Sequence, residues 1–62
     1  MKYEWLVSGV YNEHETVQGN CIAASVSEAE KVALECGFHR VTDVQLRRGA
    51  KIYDDAEESR MI

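Results

Sequence analysis

Sixty-two residues allow one small domain, since a chain this short buries only about 60% of the surface it exposes unfolded. That leaves no room for a cofactor-binding domain beside a catalytic one. Seven basic against eleven acidic residues give a net charge of −4, the opposite sign to that of most proteins that grip nucleic-acid backbone. A hydrophobic content of 45% with 29% charged residues belongs to a folded domain and is too apolar for a disordered one.

The opening MKYEWLVSGV lacks an apolar run of signal-peptide length. No stretch approaches the roughly 18 apolar residues of a membrane span, so a cytoplasmic protein with no membrane contact is expected. Tyr3 to Tyr11 reads as a strand, with Tyr3, Trp5, Val7 and Tyr11 on one parity and therefore on one face. Asn12-Glu13-His14-Glu15 is polar and suits a hairpin loop. Thr16 to Ala24 reads as the second strand, where Val17, Cys21 and Ala23 share a parity and Gly19 marks a bulge or a close approach by Trp5.

Ser25 to Glu28 has the form of a capping box and opens a helix; Ser27 with Glu30 offers the same device two residues later. Ala29, Val32, Ala33 and Cys36 follow i, i+3, i+4, i+7 spacing and make a stripe of small residues. Gly37 stands where a left-handed cap belongs, with Phe38 folding back on the last turn. Arg40 to Arg48 reads as the third strand, Arg47-Arg48-Gly49-Ala50 as a turn and Lys51-Ile52-Tyr53 as a short fourth strand. Residues 54–62 are expected as a looser tail, with Arg60-Met61-Ile62 either pairing as a strand end or fraying. The fold class is α+β: one domain over 1–62, ββαβ(β) in order, one helix on a three- or four-stranded, mainly antiparallel sheet. The expected core is Trp5, Val7, Val17, Cys21, Ala29, Val32, Ala33, Cys36, Phe38, Val44 and Leu46.

No catalytic, metal or cofactor site is expected. His14 between Glu13 and Glu15 reads as a solvated loop residue, and His39 as a cap residue bonding helix carbonyls. The spacing Cys21, Cys36, His14, His39 lacks the close cysteine pair of a zinc motif. Both cysteines read as free, small, buried residues. The glycines stand singly and build no phosphate-cradling loop.

What remains is surface. A single helix leaves one sheet face uncovered, and Leu6, Val10 and Ile22 make an apolar patch on it unless the tail covers them; Leu34 lies off the buried helix stripe. Asp54, Asp55, Glu57 and Glu58 are read either as a solubilising run or as an imitation of phosphates offered to a basic partner. Arg40, Arg47, Arg48 and Lys51 are read as a solvated strand edge or, alternatively, as a single-strand nucleic-acid platform.

The order ββαββ, with Ile22-Ala-Ala-Ser25, Ser27-Glu-Ala29, Val32-Ala33 and Cys36-Gly-Phe38, resembles small phage-encoded proteins that include some anti-CRISPR inhibitors. Gly49-Ala-Lys-Ile52-Tyr53-Asp54 followed by Arg60-Met-Ile62 resembles their closing hairpin. The resemblance implies a non-enzymatic inhibitor that acts in the host cytoplasm, binds a CRISPR surveillance complex and blocks its access to DNA. Known examples carry basic residues for that contact, whereas this chain is −4, which leaves open nucleic-acid mimicry or a protein–protein contact. The alternatives are a dimeric accessory domain that docks on a larger complex and a weak single-strand binder.

Overall fold

The first two strands form a hairpin around a short polar loop. In the computed structural model, which describes all 62 residues, β1 (Tyr3–Tyr11) pairs antiparallel with β2 (Glu15–Ala23) from Tyr3↔Ala23 to Tyr11↔Glu15. Asn12 begins the loop at φ 61, a left-handed conformation that asparagine tolerates better than most residues. The helix α1 (Val26–Glu35) follows, then β3 (Phe38–Leu46) and a two-residue β4 (Arg60–Met61). The sheet order is β3-β1-β2-β4, antiparallel throughout. This is the α+β architecture read from the sequence, with β1 as a central strand.

Local chemistry accounts for the helix ends. Ser25 has extended backbone, and its Oγ accepts from the Glu28 N–H at 3.2 Å. Glu28 reaches back to accept from the Ala24 N–H at 3.2 Å, so the capping box closes one residue further upstream than its usual form. At the other end Cys36 donates to the Val32 and Ala33 carbonyls, and Gly37 turns the chain at φ 113. Phe38 is then buried, its ring meeting Tyr11 edge-on at 6.2 Å.

The core forms where α1 lies on one sheet face. Val7, Cys21, Ala23, Ala29, Val32, Ala33 and Phe38 make the buried cluster, with Trp5, Val17, Val41, Val44 and Met61 packed against it. Alanines at 29 and 33 let the helix lie close to the strands. Gly9 is required for a different closeness, that of β3 to β1: a Cβ there would overlap the Arg40 carbonyl oxygen and stand 2.9 Å from the Phe38 ring. Two register shifts in β3 accompany this approach, with Thr42 and His39 as the extra residues.

Several expectations are corrected. Cys36, the last residue of the small stripe, is exposed, because the chain turns away at Gly37 and no later helical residue covers it. Leu46, at the end of an edge strand, is 50% exposed. The neighbour of Gly19 is Met61, whose Cε lies 2.8 Å from where a Cβ would be, and not Trp5; the Trp5 indole instead donates to the Ala23 carbonyl at 2.9 Å. Lys51–Tyr53 is no strand: Tyr53 alone bridges to Lys2. Arg60 and Met61 pair with Ile22 and Cys21, so the tail does not close a hairpin on itself.

The connection from β3 to β4 spans the sheet, because its two ends lie on opposite edges. It leaves with the Arg47 N–H on the Glu4 carbonyl, exchanges two backbone bonds between Tyr53 and Lys2, and reaches the helix start where Ser59 donates to Glu28. The connection is a strap across one end of the sheet. Ile22 lies there on the face turned away from α1, beside Glu4, outside the core cluster and yet only 1% exposed. Of the two expectations, an open face or cover by the tail, the first fails for Ile22: it is buried at the end of the sheet that the strap crosses.

Candidate interaction surfaces

The residues that sequence reasoning grouped by type are distributed by the fold into different places. Leu6 and Val10 stay on the face opposite α1 and are half-buried, flanked by Ser8, Thr16, Gln18 and Arg40. No second helix or sheet layer faces them. Ile22 has left that group under the strap, and Leu34 stands apart on the helix, half exposed. The face that remains is a mixed polar and apolar strip along β2, β1 and β3.

The acidic run is occupied locally. Asp54 accepts from the Ala56 N–H at 2.9 Å, and its carbonyl accepts from Glu57 across a turn. Asp55 pairs with the amino terminus, which holds its carboxyl below the usual aspartate value. Glu57 pairs with Arg60 at 3.0 Å while its carbonyl takes the Lys2 ammonium. In this run Asp55 and Glu57 are paired with cations, Asp54 meets only a neutral N–H and the Glu58 side chain has no such contact, so these residues help to hold the strap as well as carrying charge at the surface.

The basic residues do not converge either. Arg40 sits opposite Val10 near the hairpin end of the sheet, and Arg47 beyond the other end of β3. Seven residues of strand separate them by roughly 20 Å. Arg47 is further committed to Glu4, a carboxylate only 8% exposed, in an ion pair that joins β3 to the start of β1. Arg48 and Lys51 share an open groove of about 190 Å³ with Tyr3, Leu46 and Ile52. Nothing in the sequence pattern pointed to Glu4: it stands on the strand parity turned away from α1, opposite an arginine 43 residues later.

The histidines are both exposed. His14 lies 3.8 Å from Glu13 in the hairpin loop. His39 is the extra residue of the second β3 shift and not a helix cap, and it lines a shallow groove of about 370 Å³ with Val10, Glu13 and Arg40. No three His, Cys, Asp or Glu side chains gather as a metal site, and no helix is long and apolar enough to cross a membrane. The cysteines are free; burial, with smaller contributions from Cys36 and Glu28, pushes the Cys21 thiol up to about 11. No protein-family model, no curated protein and no solved structure matches the chain.

Proposed function

We propose that this chain is a non-enzymatic binding module that acts by covering part of a larger assembly's surface. The observation that carries the reading is the sheet face turned away from α1, where Leu6 and Val10 remain partly exposed with no second layer over them. Apolar groups interleaved with Ser8, Gln18 and Arg40 suit a protein contact that excludes water around a few aliphatic anchors. Pairing of Asp55 with the amino terminus, of Glu57 with Arg60 and of Arg47 with Glu4 favours this face over contacts led by either charge. The resemblance of the helix-opening pattern to anti-CRISPR inhibitors gives the assembly a concrete form: a CRISPR surveillance complex whose access to target DNA is blocked from outside.

The test is target-DNA binding by purified surveillance complexes with and without the chain. Loss of DNA binding, restored by Leu6→Lys in a chain that keeps its circular dichroism spectrum, is the expected result. Unchanged DNA binding by every complex type at excess protein would overturn the CRISPR assignment. Equal inhibition by the folded Leu6→Lys variant would overturn the assignment to this face.

A further inference from the structure

The outer edge of β3 is unpaired because β3 ends the sheet, and its two halves are built differently. Edges are commonly protected by bulges and charges, and the first half carries both, with register shifts at His39 and Thr42 and a charge at Arg40. From Asp43 to Leu46 the strand is regular, with Asp43 its single charge and neither Lys nor Pro to interrupt it.

The hydrogen-bond phase of this second half follows from one bond. The Arg47 N–H donates to the Glu4 carbonyl, so Glu4 and Arg47 form a hydrogen-bonded pair of the antiparallel ladder. Such pairs alternate, which turns the backbone of Gln45 and Asp43 inward to Leu6 and Ser8. Val44 and Leu46 therefore present their N–H and C=O groups outward. Their side chains lie on the helix face with Val7 and Trp5, whereas Asp43, Gln45 and Arg47 lie on the opposite face.

We infer that this edge pairs with the same edge of a second copy of the chain, antiparallel, with Gln45 on the two-fold axis. In that register Val44 meets Leu46 of the second copy as a hydrogen-bonded pair, apolar against apolar on the helix face. On the other face Asp43 stands opposite Arg47 of the second copy, and Arg47 opposite its Asp43, placing unlike charges across the seam. Arg47 keeps its Glu4 contact through one Nη and has further N–H groups to offer. The neighbouring registers that satisfy the outward backbone groups are worse. Centring on Val44 sets Arg40 against Arg48 of the second copy, and centring on Leu46 faces Arg47 with the neutral Gln45. The product is one continuous sheet with both helices on the same face. It uses neither Leu6 nor Val10 and stands independently of the proposed function.

Gln45→Cys in a Cys36→Ser background tests the register directly. A non-hydrogen-bonded pair on the axis brings its Cα atoms to about 4.5 Å, inside the range that a disulfide spans. Mild oxidation with copper-phenanthroline should cross-link this variant to about twice 7.0 kDa, while Asp43→Cys, displaced along the strand from its own copy, should not cross-link. Sedimentation of the unmodified chain should show mass rising from monomer toward dimer with concentration, and Asp43→Lys should hold it monomeric with an unchanged circular dichroism spectrum. A chain that stays at 7.0 kDa at its highest attainable concentration overturns the inference. So does a dimer in which Gln45→Cys cross-links no faster than Asp43→Cys.

Discussion

The two cysteines show how much a single turn of backbone decides. Cys21 sits inside the cluster between the sheet and α1, whereas Cys36 lies on the last helical position before Gly37 and is exposed. A thiol reagent at neutral pH should therefore label Cys36 readily and Cys21 only on unfolding, because thiolate is the reactive form and burial raises the Cys21 thiol to about 11. Mass spectrometry after timed labelling reads both rates, and rapid double labelling of the native chain would contradict the packing. Arg47 carries a similar lesson. Its charge was legible in the sequence as surface, but its partner Glu4 lies 43 residues away and is buried on a strand. Charge reversal at Arg47 is therefore a structural perturbation before it is a test of any binding surface.

At the scale of elements, β1, β2, α1 and β3 were legible to within about two residues, because each announces itself locally. Alternation gives the strands their face, Ser25 and Glu28 open the helix, and Gly37 closes it. β4 and the strap carry no such period. Their positions follow from crossing the sheet, so the sequence placed a strand at Lys51–Tyr53 where only a single bridge forms. The candidate surface suffered for the same reason, since Ile22 has the parity of Leu6 and Val10 yet lies under a segment with no readable pattern. The helix start joins both kinds of information. Glu28 accepts from Ser59 on the strap and from the Ala24 N–H, which together hold its carboxyl below the usual glutamate value. A depressed carboxyl contributes stability that is full above its unfolded value and is lost as pH falls through the folded one. Ser59→Ala should raise the Glu28 value, read by NMR titration, and flatten the acid limb of the stability curve. An unchanged titration would mean that the strap does not rest on the helix start.

For the whole molecule, size makes cover decisive. At 0.05–0.15 kcal/mol per residue, a domain of this length is stable by roughly 3–9 kcal/mol. A second carboxylate buried beside Glu4, the cross-strand neighbour of Ile22, costs several kcal/mol, so Ile22→Asp should leave the chain unfolded. On an open face the same change would be nearly neutral. Far-ultraviolet circular dichroism separates the two: a native spectrum for Ile22→Asp would show that the strap does not cover that residue. Leu6→Lys, on the uncovered part of the same face, should keep its fold.

The strap also has a cleavage chemistry. Arg48 and Lys51 are exposed, flank Gly49 and lie in a stretch with no regular structure, which is where a protease finds backbone it can thread. A brief pulse of trypsin should cut there before any site in α1 or β3. The released piece would be held without a covalent link, by the Tyr53 bridge, the contacts of Asp55 with the amino terminus and of the Glu57 carbonyl with Lys2, the Ser59 contact, the packing of Met61 and the short pairing of β4. Its departure would uncover Ile22, so that one nick in the connection should commit the remaining chain to rapid digestion rather than leave a trimmed, durable core.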